Sequence, residues 1–444
     1  MTQKADFTII KPMMNPLAQE LNAALEGTTA GSLLSDFGKR IFFPKGIIAQ
    51  SGEAKKLGKT ANATIGMTVK DGTPVILPAV HKSAPGLTAR ELVAYAPTAG
   101  LPELREAWKA EIVRKNPSLA TKSISLPVLV PGLTAGISYL SDLFLDETTT
   151  LIAGDPSWDN YSLIAQTRRA SAFRQFPMFK DGAFNFDSFC EVVSDEAKKS
   201  GKVRVLLNFP QNPSGYSPTQ DEAAKIVKFL TKIADEGTKV LVWCDDAYFG
   251  LNYEENIEKQ SLFAYLSDAS ENILAVKIDG PTKEDFVWGF RAGFLTFGAK
   301  GMSESHYDAL IKKLMGTIRS SVSCASTPPQ SILLKALSDS EISAQKQEFR
   351  DLLCRRYKKV RAFTDSHKSA FLYPLPFNSG YFMSLHLNSA DAEKVRQSLL
   401  NNDGIGTIAI DSSTLRVAFS SLEEDKIEAV YSAIYRTAEE LSRA

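Results

Sequence analysis

Six short apolar runs between residues 128 and 297 constrain this fold more than any other feature of the chain. They are VLV at 128–130, LIA at 151–153, VRVLL at 203–207, VLVWC at 240–244, ILAVKI at 273–278 and FLTF at 294–297. None alternates strictly between apolar and polar residues. A strand that is apolar on both sides must be covered on both faces, which is the pattern of a mostly parallel sheet with helices above and below it. Stretches with helical spacing lie between the runs, at about 135–145, 158–168 and 219–234, as strand–helix–strand crossovers require.

The flanks read differently. Residues 15–26 look helical, with Leu17, Leu21 and Leu25 at fourfold spacing and Gly27 ending the pattern. NATIGM at 62–67 is strand-like, and YAPTAGL at 95–101 is a loop feeding a helix from Pro102 to about residue 114. Downstream, long helical stretches fill 303–365, followed by a strand at 380–387, a helix to about 399 and short strands at 407–409 and 415–419. A last helix is expected from Ser421, with Glu424 completing a capping box. The expected organisation is a larger α/β domain at 91–325 and a smaller α+β domain assembled from 1–90 and 326–444.

Composition narrows the function classes. The chain has 444 residues, 44% of them hydrophobic, enough for two cores. Its 51 basic and 51 acidic residues cancel, which argues against nucleic acid or an anionic membrane as the main partner. Cysteines 190, 244, 324 and 354 have neither disulfide nor metal spacing and read as free thiols. Histidines 81, 306, 367 and 386 are scattered, so no metal site is expected. The first residues carry no apolar signal, and the expected setting is the cytoplasm.

Candidate chemistry clusters after the apolar runs, where open α/β sheets bind ligands. Lys283 follows Gly280 and Pro281 on a loop between two of the runs, and Arg291 lies eight residues on, between Gly289 and Gly293. A desolvated lysine can become an amine nucleophile, and an arginine can hold a phosphate with its planar fork. The pair suggests pyridoxal phosphate. The bland alternative is a solvated lysine in a charged Lys-Glu-Asp turn. Gly132, Leu133 and Thr134 join a strand to a helix start, a place that favours phosphate but also an ordinary connection. Trp158 can stack on a planar ring or simply pack. Asn212, in NPSG, can donate to a phenolic oxygen. Asp245 and Asp246 end a buried run, and since neighbours point to opposite faces only one of them faces a site. Such a carboxylate can hold a pyridine nitrogen protonated or merely cap a turn.

Taken together, in this order and spacing, these strings resemble the class I/II aminotransferases, pyridoxal phosphate enzymes of fold type I, and especially their aspartate aminotransferase-like branch. The likeness is carried by Tyr95 in YAPTAGLPELR, Trp158 in DPSWDNY, Asn212 in NPSG, Asp245 and Tyr248 in DDAY, Lys283 and Arg291 in TKEDFVWGFRAG, and Arg416 in TLRVAFS. NATIGM resembles the family's N-terminal glycine loop, which would put Gly66 beside the substrate. The likeness spans about 60–425. It implies a large domain with a seven-stranded, mostly parallel sheet flanked by helices, and a homodimer with shared active sites.

The resemblance also implies roles. Lys283 would carry pyridoxal phosphate as a Schiff base and shuttle a proton. Asp245, rather than Asp246, would face the ring nitrogen, with Asn212 and Tyr248 on the phenolic oxygen and Trp158 on the ring. Arg291, Thr134 and the backbone at Gly132 and Leu133 would hold the phosphate, with Tyr95 reaching it from a neighbouring subunit. Arg416 would clamp the substrate carboxylate, in place of a plain surface charge. Two departures stand out. Gly280 replaces a phosphate-binding hydroxyl, leaving Thr282 as the nearest substitute. Arg319 lies too far before Pro328-Pro329 to match the arginine of dicarboxylate-specific members. The implied activity is amino transfer between an L-amino acid and a 2-oxo acid. The rival readings are a carbon–sulfur β-lyase or decarboxylase of the same fold and a ligand-sensing regulator. Phe42, Phe43 and Ile47 are candidates for a substrate lid, or for ordinary core.

Overall fold

In the computed structural model, residues 14–26, 34–42 and 46–443 are described. Phe43 and the side chain of Ile47 lie outside these, so of the three lid candidates only Phe42 is seen, half-buried.

The six apolar runs and one further segment, β3, become the seven strands of one sheet: β1 (Val128–Val130), β2 (Thr150–Asp155), β3 (Ala172–Pro177), β4 (Lys202–Asn208), β5 (Lys239–Asp245), β6 (Ile273–Asp279) and β7 (Gly293–Gly298). Their order is β1-β7-β6-β5-β4-β2-β3, and only β7 runs against its neighbours. The edge strand β3, with its mixed burial, was absent from the sequence reading. Period-two alternation divides each inner strand between two cores. Leu241 and Trp243 pack on one face with Leu206, Val276 and Ile278. Val240, Val242 and Cys244 pack on the other with Val203, Val205 and Ala275.

Helices cover both faces. On the first side lies α2 (Leu133–Phe144), whose Ile137 and Leu140 enter the core. On the second lie α1 (Pro102–Lys115), α3 (Phe186–Ser200) and α4 (Gln220–Asp235). Thr219 and Glu222 form a reciprocal cap at the start of α4. Ile226, Leu230 and Ile233 then face the sheet, each contributing roughly 1.5–3 kcal/mol by burial. A one-turn helix, α5 (Pro281–Glu284), links β6 to β7, so Lys283 sits on a helical turn and not in an open loop.

Three longer helices follow: α6 (Glu304–Arg319), α7 (Thr327–Leu337) and α8 (Ile342–Ser366). A second, antiparallel sheet is built from β8 (Leu372–Pro374), β9 (Phe382–Leu387), β10 (Ile408–Ala409) and β11 (Thr414–Ala418), in the order β8-β9-β11-β10. It shares a third core with α8 and with α9 (Ile427–Arg443). The two chain ends meet where Ala61–Asn62 pairs in parallel with Ile405–Gly406.

Two local expectations fail for identifiable reasons. The strand at 62–67 stops after Asn62, because its side-chain oxygen accepts from both the amide and hydroxyl of Thr64 and turns the chain. The last helix starts at Ile427 rather than Ser421. The Ser421 hydroxyl donates to the carbonyls of Asn62 and Ala418 instead of capping a helix.

The two sheets touch at the NPSG turn. The Gly215 carbonyl accepts from the amides of Asn378 and Ser379 and from the Ser379 hydroxyl. Gly215 has φ 79°, and a Cβ there would overlap the Phe382 carbonyl oxygen. Gly215→Ala should therefore destabilise the chain by at least about 2 kcal/mol. A urea unfolding midpoint compared with wild type checks this.

Candidate active site

The strands deliver five site segments to one end of the sheet. β1 leads to Gly132, β2 to Trp158, β4 to Asn212, β5 to Asp245 and Tyr248, and β6 to Lys283. Because β7 is antiparallel, Arg291 reaches the same end just before it begins.

Face selection follows from strand parity. Asp245 shares the Trp243 side and is buried at 3% exposure. It accepts a 2.5 Å hydrogen bond from Tyr161 Oη and a 3.1 Å one from the Ala247 amide. Asp246 turns to the other side, where Lys277 Nζ lies 2.5 Å away and Ser261 donates at 2.6 Å. Burial pushes the Asp245 carboxyl up; the Tyr161 bond and the charge of Lys283 only partly counter this. Among the described residues no ion pair is made by Asp245, so it is a buried carboxylate without a bonded cation.

Lys283 is partly exposed, and its ammonium lies 4.8 Å from the centre of the Tyr248 ring. Desolvation lowers its pKa to about 8; Asp245 pulls it up and Arg291 pushes it down. A useful fraction of free amine therefore exists near neutral pH. Tyr381 Oη donates to the Lys283 carbonyl at 3.1 Å and fixes the turn from the second sheet's side.

Arg416, on β11, is buried, and its guanidinium lies 4.3 Å from the Phe382 ring. It donates 2.9 Å to Asn212 Oδ1 and 3.3 Å to the Thr64 carbonyl. Its Nε has no partner. Burial lowers its pKa to about 10, so it stays cationic, with donors left for an incoming carboxylate. Gly66 completes this wall: a Cβ there would lie 3.2 Å from Phe382 Cζ and 3.9 Å from Tyr248 Oη.

The phosphate candidates meet at the start of α2. Gly132 precedes it with φ 92°, and a Cβ there would overlap the Arg291 guanidinium. Bare backbone, helix N-terminus and guanidinium thus form an anion cradle beside Leu133 and Thr134. Gly280 is explained here: a side chain would come within 3.0 Å of the Ala292 carbonyl and Gly293 Cα. Thr282 is buried and donates its proton to the Ala292 carbonyl at 3.3 Å, so that proton is not offered to an anion in this arrangement. Arg319 is exposed at the end of α6 and donates to Ser323. Tyr95 stands fully out from the chain, 94% exposed.

Three neighbours escaped the sequence reading. Tyr161 had a signal, lying one helical turn after Trp158 with the two rings 5.3 Å apart. Tyr381 and Phe382, which flank Tyr248 at 5.4 and 5.5 Å, had none beyond their strand.

An anion cradle, a buried carboxylate and a lysine amine with a lowered pKa thus meet at one end of an α/β sheet. The chain matches the family described as aminotransferase class I and II over residues 65–434, and it belongs to that family. It is 24% identical to an aspartate aminotransferase of Pyrococcus abyssi over 355 residues, covering 76% of this chain and 84% of that one. A probable aspartate/prephenate aminotransferase of Rhizobium leguminosarum is 28% identical over 220 residues, 47% of this chain and 50% of its own. Among solved structures, an aminotransferase from Anaerococcus prevotii superposes with a TM-score of 0.79 at 24% identity, covering 90% and 97% of the two chains. A multiple substrate aminotransferase from Thermococcus profundus gives 0.77 at 17% identity, covering 94% and 99%. The fold is thus that of the fold type I aminotransferases, and the chain is a transaminase of a generally pyridoxal phosphate-dependent family. Among the described residues no helix is long and apolar enough to cross a membrane.

The amine pKa gives a direct prediction. Modification of Lys283 by an amine reagent, followed by peptide mass spectrometry on the cofactor-free chain, should rise with pH and reach half-maximum near 8. Asp245→Asn removes a charge that favours the ammonium and should lower that midpoint. Arg291→Met removes one that opposes it and should raise it.

Proposed function

We propose that this transaminase carries pyridoxal phosphate on Lys283 and moves an amino group between an L-amino acid and a 2-oxo acid. The observation that carries this reading is the amine with its pKa lowered to about 8, set between buried Asp245 and the Arg291 cradle. When bound, the cofactor supplies an aldehyde that combines with amines and a pyridine ring that withdraws electrons from the adjacent carbon.

The chain's own residues have separate tasks. Arg291, Thr134 and the amides after Gly132 would hold the phosphate. Asp245 would keep the ring nitrogen protonated, the cation that this buried carboxylate lacks. Asn212 and Tyr248 would bind the phenolic oxygen, and Trp158 would cover the ring. Arg416 binds the substrate α-carboxylate with the donors that Asn212 and Thr64 leave free. That contact would orient the α-hydrogen toward Lys283, whose amine would take the proton from the α-carbon and return it to the cofactor's aldehyde carbon, on the far side of the shared nitrogen. Water would supply the carbonyl oxygen as the amino acid leaves as an oxo acid with its nitrogen retained on the cofactor, and a second oxo acid would receive that amino group by the reverse sequence, releasing the water.

Exposed Tyr95, with Leu92 and Val93 also exposed nearby, supports a second copy of the chain to which Tyr95 is supplied. Residues 91–325 serve as the cofactor-holding domain, and 1–90 with 326–444 as the smaller one, a division supported by the pairing of Ala61–Asn62 with Ile405–Gly406. Four free cysteines support a reducing, cytoplasmic setting.

Single L-amino acids should convert the bound cofactor to its amine form and release the matching oxo acid, followed by absorbance. Lys283→Ala should abolish this. Arg416→Lys should raise the amino-acid KM about 30-fold, the equivalent of about 2 kcal/mol for a lost bidentate contact. Release of pyruvate and ammonia from a cysteine conjugate, without amino transfer to any oxo acid, would instead favour the lyase.

A further inference from the structure

Lys283 stands on α5, which is four residues long. A single turn bears the nucleation cost of a helix with almost no propagation to offset it. Gly280 precedes it with no side-chain cap, and the chain leaves through Phe286 and Arg291 at φ 56° and 50°. The turn must therefore be fixed from outside.

The next two residues are acids, and both are buried: Glu284 at 2% and Asp285 at 0% exposure. They are not the solvated charges that a Lys-Glu-Asp turn suggests. Glu284 Oε1 lies 2.6 Å from Lys115 Nζ at the end of α1 and 3.4 Å from Arg350 Nη2 on α8. Asp285 pairs with Lys346, one turn earlier on α8 and itself 5% exposed. Glu111 adds a 3.3 Å contact to Lys115. Three carboxylates thus face three cations. Burial pushes the Glu284 carboxyl up, but Lys115, Lys346 and Arg350 more than offset it and hold it below its ordinary value.

Buried ion pairs gain little stability over apolar packing, but a broken one is costly, so they fix geometry sharply. This cluster joins three bodies. α1 packs on the first sheet, α8 enters the core of the second through Tyr357, Val360 and Phe363, and the reacting turn lies between them.

We propose that the Glu284–Lys115–Arg350 and Asp285–Lys346 pairs are positioning residues that hold the Lys283 amine toward Asp245 and Tyr248 and tie its placement to α8. The inference rests on Lys283 being the reacting amine. It predicts that the cluster acts on turnover and amine reactivity beyond its effect on stability.

The test compares K346M, the charge-balanced double variant D285N/K346M, K346R and Arg350→Met with wild type and Lys283→Ala. K346M strands a buried carboxylate and can fail to fold; the double variant removes both charges. In the cofactor-loaded double variant, kcat should fall at least tenfold with the amino-acid KM within twofold. In its cofactor-free form, the Lys283 modification midpoint should move up from about 8 toward the ordinary lysine range. K346R keeps the charge and should retain most of kcat. Arg350→Met, at the 28% exposed edge of the cluster, is expected to fold and should lower kcat threefold or more at unchanged KM. A lower melting temperature with kcat and midpoint both unchanged would overturn the proposal and leave a purely structural cluster. Activity surviving in Lys283→Ala would overturn the reading of Lys283 itself.

Discussion

Backbone hydrogen bonding between the central strands is the constraint on which the rest depends. It aligns Asp245 with Asn208 on one side and with Ile278 on the other, so three strands finish level. Level ends let short connections place groups from distant sequence positions within a few ångströms. The same register fixes parity. One residue of slip in β5 would exchange Asp245 for Asp246 on the face where Tyr161 and Tyr248 now stand, and would part Asp246 from Lys277, which stays on β6.

Burial then differentiates chemically similar groups. Two adjacent aspartates end β5, yet one bonds to a phenol and an amide while the other is neutralised by a lysine. Lys277 and Lys283 are six residues apart. The first is enclosed between Asp246 and Asp279 and its pKa is raised, because those carboxylates outweigh its desolvation. The second meets Asp245 across a wider gap, with Arg291 opposing, and its pKa falls. Local charge balance, more than residue type, sets the opposite pKa shifts of these two lysines.

Much of this was legible in the sequence because parallel strands leave continuous apolar runs and their ends carry polar residues at short, regular offsets. Lys283, Asp245 and the Gly132 turn could be located that way. What could not be read depends on long-range geometry. Glu284 and Asp285 look solvated until α1 and α8 bring Lys115, Lys346 and Arg350 to them. Gly280 looks like a missing hydroxyl until the Ala292 carbonyl is seen to leave it no room. The cap expected at Ser421 yields to carbonyl partners, one of them more than 350 residues earlier.

Desolvation of Lys283 also has a thermodynamic consequence for the cofactor-free chain. Its amine binds a proton less tightly in the folded state, near pKa 8, than in the unfolded chain, near 10.5. Below pH 8 both states are protonated and folding bears the full penalty, about 3 kcal/mol at most. As pH rises from 8 to 10.5 the unfolded state holds more protons, so stability grows until the penalty is gone. Lys283 is therefore an internal load at neutral pH, and any ligand that combines with its free amine relieves that load and tightens the fold.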